Sequence, residues 1–193
     1  MARTKEFEPE RALERAMELF WRRGYEATSL RELLEAMGIG QGSFYGTFGD
    51  KHTLFLATLD RYREAAEAGA VTTLEDGSPK EAIRAMFRGM VDVLAGQEEP
   101  RRGCFLANSA VELAPHDAEV GERISRYVRC LEDAFERTIR RGQATGEIDT
   151  RRDPRTLARS LVNNSLGLRV LARTGTDRRT LEDAADAALW PLG

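Results

Sequence analysis

The stretch from Thr28 to Lys51, TSLRELLEAMGIGQGSFYGTFGDK, leaves this chain the fewest structural options. Thr28 and Ser29 are N-cap residue types, and Glu32 lies three residues after Ser29. That is the spacing of a capping box, in which two side chains satisfy backbone N–H groups that the first helical turn leaves unpaired. Leu30, Leu33, Leu34 and Met37 then recur at helical spacing. Gly38 stops the helix, because glycine enters the left-handed conformation at no steric cost. A second short helix is predicted from Gln41 to Phe48, with Phe44 and Phe48 four residues apart. A helix of that length is marginal by itself, so the two phenylalanines must anchor it and leave Gln41, Ser43, Tyr45 and Thr47 facing outward. Two short helices joined by a tight turn form a helix-turn-helix, whose second helix lies in the DNA major groove.

The rest of the 193-residue chain reads as further helices. Pro9 suits a first helical turn. Ala12, Leu13, Ala16, Met17, Phe20 and Trp21 follow as an apolar stripe that ends at Gly24. Asp50 is an N-cap with Lys51 at the first position, and the stripe Leu54, Phe55, Thr58, Leu59 and Tyr62 fades into alanine-rich residues 65–71. Gly77-Ser78-Pro79 opens the next helix, and residues 96–103 form a loop. CFLANSAVELAP, residues 104–115, predicts a short helix buried on nearly all sides and closed by Pro115. Long helices follow from His116-Asp117 to about Gly142 and from Asp153-Pro154, and a last one starts after Thr176-Asp177. No stretch alternates like a strand. The expected fold is all-α with about nine helices: a three-helix helix-turn-helix domain over residues 1–50 and a larger helical domain over 51–193.

Charge does not help a nucleic-acid reading. Residues 1–52 carry eight Lys/Arg and nine Asp/Glu, whereas a DNA-binding surface is usually basic. Arg3, Lys5, Arg31 and Lys51 could still gather on one face, with the acids of the first helix turned away. The opening MARTKEFEPE has no apolar core of a secretory signal, and no apolar run is long enough to cross a membrane. Two cysteines make no disulfide framework, so a reduced cytoplasmic setting is expected. The two histidines, His52 and His116, stand in separate segments without metal-ligand spacing. No glycine-rich phosphate loop or nucleophile elbow appears. A binding protein without cofactor or metal is expected rather than an enzyme.

GIGQGSFYGTFGDKHTLFLA resembles the TetR-type repressor pattern: glycine, an apolar residue, two variable positions, a small pair, aromatic-x-x-Phe, a turn and lysine. The resemblance is specific over about residues 10–58. It implies a homodimer whose last two helices pack as a four-helix bundle, double-stranded operator DNA as partner, and release by a small-molecule effector. The DNA-contact set is Thr28, Arg31, Gln41, Gly42, Ser43, Tyr45, Thr47 and Lys51. Gln41 can bridge adenine N6 and N7, serine and threonine can pair with bases or phosphates, and Gly42 permits close backbone approach. Tyr45 is expected to reach a phosphate oxygen, and the resemblance assigns Lys51 to a phosphate, at a helix N-terminus that itself attracts anions. The chain departs from the family pattern at Gly46 and Thr47, where larger rings are frequent.

For an effector, Met86, Phe87, Met90, Phe105 and Tyr127 are candidate pocket lining, with Asn108, Glu112, Asn163 and Asn164 as polar groups needing partners, either a ligand or one another. Cys104 opens the apolar helix after a loop bearing Arg101 and Arg102, and both a helix N-terminus and nearby cations favour thiolate. A family branch that senses electrophiles and oxidants has a cysteine in a similar Gly-Cys-apolar context, with a lysine from a later helix. The later helices here hold no lysine, which leaves Arg169 or Arg173. Cys104 is thus either a sensor or a small buried hydrophobe, and Cys130 reads as packing. A helical protein-interaction module that no longer binds DNA is the remaining alternative.

Overall fold

The computed structural model describes residues 7–96 and 102–193. Arg3, Lys5 and Arg101, and most of the 96–103 loop, lie outside the described residues. Nine α-helices are described: α1 (Pro9–Arg23), α2 (Leu30–Met37), α3 (Gln41–Phe48), α4 (Lys51–Glu75), α5 (Pro79–Ala95), α6 (Phe105–Glu112), α7 (Ala118–Thr145), α8 (Pro154–Arg173) and α9 (Arg178–Leu189). A 3₁₀ turn, Trp190–Leu192, closes the chain.

The local signals act as their chemistry dictates. Ser29 caps α2 reciprocally with Glu32: the Glu32 amide donates to Ser29 Oγ at 3.3 Å and the Ser29 amide donates to Glu32 Oε2 at 2.9 Å. Bonds from the Ser29 side chain, then its amide, then Arg23 hold the Glu32 carboxyl down at about 2. Gly38 sits at φ 69°, ψ 33°, and the amides of Gly38 and Ile39 return to Leu34 O. Pro9, Pro79 and Pro154 each occupy a first turn.

The head packs α1, α2 and α3 against the first half of α4 around Phe20, Leu33, Met37, Phe44, Leu54 and Phe55. Phe20 and Tyr25 both meet the Phe55 ring, at 5.0 and 4.9 Å between centroids. Edge-to-face pairs of this kind add roughly 0.5–1.5 kcal/mol each beyond area burial. The body packs α5 and α7 on the second half of α4 and α8 and α9 on α5 and α7, with Phe87 against Phe135 at 6.3 Å.

Helix α4 belongs to both halves. Its 25 residues span roughly 38 Å at 1.5 Å per residue. It is tied to α7 at three points along its length: His52 Nε2 to Asp117 Oδ2 at 2.6 Å, Arg123 Nε to Asp60 Oδ2 at 3.1 Å, and, at its end, Thr138 Oγ1 to Leu74 O at 3.2 Å. The sequence separations are 65, 63 and 64 residues, so the two helices run side by side in the same direction. Thr138 and Arg141 take the Leu74 carbonyl, one of those that the end of a helix leaves unpaired.

One expectation needs correction. Helix α6 is shorter than 104–115 and is not buried all round: Phe105, Leu106 and Ser109 face the core, while Val111 is 81% exposed. It ends at Glu112 in a turn, three residues before Pro115.

Candidate nucleic-acid interface and effector site

Helix α3 turns one side chain inward, Phe44, and keeps Phe48 half-buried. Gln41, Gly42, Tyr45, Gly46 and Thr47 are exposed and Ser43 is half-buried. At 100° per residue, Gln41, Gly42, Tyr45 and Gly46 share one flank. A Cβ at Gly42 or Gly46 would meet no atom within 4 Å. That flank is therefore a low surface between two hydrogen-bonding side chains, a shape that lets backbone approach base edges.

No cation stands on α3 itself. Arg31, on α2, is exposed. Lys51, the first residue of α4, holds its ammonium 4.2 Å from the centre of the Tyr25 ring. The missing basic footprint is partly explained by how the acids are used. Arg61 takes Glu10 and Glu14 at 2.8 and 2.5 Å, Arg102 and Arg22 take Glu18, and Arg23 takes Glu32. Four of the nine acids in residues 1–52 are thus committed to cations.

Thr28 does not belong with the groove residues. It is fully buried, and its hydroxyl donates to Gly24 O at 2.6 Å. Ser29 is the N-cap, so Thr28 braces the turn between α1 and α2.

The candidate effector residues divide. Met86, Met90 and Tyr127 line a hollow of about 350 Å³ between α4, α5, α7 and α8, together with Ala66, Leu94 and Arg169. The others leave this set. Phe87 is buried against Phe135. Asn163 is on the exposed side of α8, and Asn164 Nδ2 bonds Ser160 O within its own helix. Phe105, Asn108 and Glu112 line a separate groove of about 400 Å³ between α1, α6 and α8. There Phe105 packs on Phe55 and Tyr62, and Asn108 Nδ2 donates to Arg102 O at 2.8 Å.

Glu112 has a role its sequence neighbourhood does not announce. Its carboxylate accepts from the amides of Tyr25 and Glu26, at 3.2 and 2.9 Å, across 87 and 86 residues. The last residue of α6 therefore ties the body to the turn that leads into the reading head. The tie requires Gly24 (φ 86°, ψ 171°), where a Cβ would stand 2.8 Å from the Glu112 carboxylate.

Cys104 is buried at the N-cap of α6. The Tyr62 hydroxyl lies 3.7 Å from its sulfur, and the Arg169 guanidinium neighbours both groups. Burial pushes the Tyr127 hydroxyl up to about 12, and burial together with Cys104 pushes the Tyr62 hydroxyl up further, so both remain proton donors. Burial works against the charge on Arg169, yet the neighbouring Cys104, Tyr127 and Tyr62 hold its affinity for the proton above the ordinary value. Tyr62 and Arg169 complete a cluster that only the folded chain brings together. Cys130 is half-buried on α7, and burial raises its thiol.

A short exposed helix presented by a three-helix head, on a helical body with a partly open hollow between its helices, defines a two-part helix-turn-helix regulator. Family comparison makes the assignment specific. Residues 12–58 match the model for bacterial regulatory proteins of the tetR family, and residues 79–188 match the tetracyclin repressor-like C-terminal domain. The chain is 40% identical to the uncharacterized HTH-type transcriptional regulator YezE of Bacillus subtilis (strain 168), with all of each chain covered. It is 34% identical to the HTH-type transcriptional repressor ComR of Escherichia coli (strain K12), over 98% of this chain and 91% of ComR. A cysteine-substituted form of the regulator CifR, solved with 26-base-pair operator DNA, superposes with a TM-score of 0.88 at 30% identity over the whole of both chains. This chain belongs to the TetR family of bacterial transcriptional regulators, and it is a DNA-binding regulator of transcription. The reading as an interaction module without DNA is set aside.

Proposed function

We propose that the chain is a cytoplasmic repressor, without catalytic activity of its own, that holds its operator as a two-fold dimer and lets go when a small amphipathic molecule fills the hollow beside α4. The observation that carries the DNA half is α3, whose outward flank keeps Gln41, Gly42 and Tyr45 available while Phe44 and the half-buried Phe48 anchor it. CifR, at 30% identity, is a regulator solved on operator DNA. Arg31, Ser43, Thr47 and Lys51 surround the same flank, and the N-terminus of α4 adds its free amides for phosphate. The reading head is residues 1–50, and the effector and dimer unit is 51–193, joined through α4. The dimer face is the exposed apolar strip of α8 and the chain end: Val170, Leu171 and Trp190, the last 79% exposed. No described helix is long and apolar enough to cross a membrane.

Gel shift with DNA from upstream of the protein's own gene tests this. Gln41→Ala and Tyr45→Ala should each weaken the specific complex about 5- to 100-fold, the worth of one good base or phosphate contact, without changing the melting temperature. Wild-type-like affinity in both variants would remove α3 from the interface.

A second reading rests on the cluster around Cys104. The Tyr62 hydroxyl stands 3.7 Å from the buried sulfur and Arg169 lies beside it, so modification of Cys104, the N-cap of α6, would disturb that helix. Alkylation by N-ethylmaleimide, in which the thiol adds across the maleimide double bond, should then release the wild-type protein from DNA and leave Cys104→Ser bound. Equal responses of the two proteins would end this reading.

A further inference from the structure

Arg169 is an anomaly in the body. It projects from α8 into the hollow lined by Ala66, Met86, Met90, Leu94 and Tyr127. No carboxylate among the described residues forms an ion pair with it; its neighbours are the Cys104 sulfur and the Tyr62 and Tyr127 hydroxyls. Glu67, the carboxylate felt by Tyr127, is engaged by Arg63 at 2.9 Å. By contrast, Arg63, Arg123, Arg155 and Arg178 all make ion pairs with acids. A guanidinium held in a largely apolar cavity without a counter-ion is costly. The cost is recovered when an anion enters and takes its hydrogen bonds.

We infer that the hollow binds an amphiphilic monocarboxylate, its carboxylate on Arg169 and the Tyr127 hydroxyl and its hydrocarbon tail along Met86, Met90 and Leu94. The inference rests on the effector reading above and narrows it to a ligand class. One fixed cation suits a single negative charge, and Tyr127, a protonated phenol, supplies a second donor. A phosphate dianion would find no second cation among the lining residues. At about 350 Å³ the space lies near the lower end of the roughly 300–1,000 Å³ typical of small-molecule sites, which sets the tail as short.

Calorimetry on the full-length protein, without DNA, tests the site with three probes: sodium octanoate, octan-1-ol and sodium acetate. Octanoate should bind at least about 10-fold more tightly than either the uncharged tail or the tailless charge, as hydrogen bonds to a charged group imply. Arg169→Met keeps the apolar stem and removes a buried charge, a change that is often neutral for folding. It should weaken octanoate about 10- to 100-fold and leave octanol unchanged. Cys104→Ser should retain octanoate within about threefold, because the arginine acts on the ligand and not through the thiol. Equal affinity for octanoate and octanol in the wild-type protein, or undiminished octanoate binding by Arg169→Met, overturns the inference. So does loss of octanoate binding in Cys104→Ser. Octanoate that binds through Arg169 yet leaves the operator complex intact upholds the site and removes the release step. Operator release by other molecules with no octanoate binding does the reverse.

Discussion

Phe44→Ala should abolish operator binding while leaving most of the molecule folded. Phe44 is the one fully buried side chain of α3, and its ring meets Tyr45 and Phe48 at 5.3 and 6.2 Å. Truncating a buried phenylalanine costs about 3–5 kcal/mol. Helix α3 has little to set against that, since two of its eight residues are glycines, each about 1 kcal/mol less favourable than alanine in a helix. The loss is local because the body has its own core around Phe87 and Phe135. Circular dichroism should show only a small fall in helix content, and gel shift should show no specific complex. A variant that binds within about threefold of wild type would mean that the head is not held by this contact. Phe44→Leu, which keeps a buried apolar group, should retain binding.

Gly24→Ala should destabilise the joint between head and body. The backbone there lies in a region essentially confined to glycine, at about 1–3 kcal/mol for any other residue. The new Cβ would also press on the Glu112 carboxylate at 2.8 Å. Pushing that carboxylate off leaves the Tyr25 and Glu26 amides without their acceptor, for a further loss of about 1–3 kcal/mol. Thermal unfolding should register a fall of several degrees or more. Hydrogen exchange should quicken at the amides of Tyr25 and Glu26. Glu112→Gln retains one carbonyl acceptor and should quicken exchange less. Unchanged exchange at both amides in Gly24→Ala would show that Glu112 does not join body to head.

The two residues behind these expectations differ in how far the chain announces them. Phe44 is legible because everything that places it is local: the Ser29–Glu32 box, Gly38 as a stop and the four-residue spacing to Phe48 all act within one turn or two. The bounds of α3 follow from the same signals. Glu112 is not legible, because its partners are 86 and 87 residues away and a carboxylate at the end of an apolar helix looks the same whether it meets a ligand, solvent or a backbone amide. Thr28 misleads for a related reason. Two adjacent N-cap residue types compete, Ser29 takes the cap, and burial of its neighbour is a tertiary outcome. The apolar composition of α6 suggests a helix buried on nearly all sides, but among the described residues nothing covers Val111. Asn163 was placed by its apolar neighbours, yet the helical period turns it outward.

The constant offset between α4 and α7 limits how a signal can travel. Two rods fastened at three points along their common length cannot slide like pistons, since any slip would break all three fastenings together. They can tilt as a pair. Ala70, beside the hollow, is nineteen residues from Lys51, a lever arm of roughly 28 Å. A tilt of about 5° at the hollow moves the start of α4, and the reading head with it, by about 2.5 Å. In a symmetric pair the displacement doubles, to about 5 Å against a groove-to-groove repeat of roughly 34 Å. A guest molecule that wedges a few side chains apart near Met90 therefore has mechanical advantage enough to throw both heads out of step with the double helix.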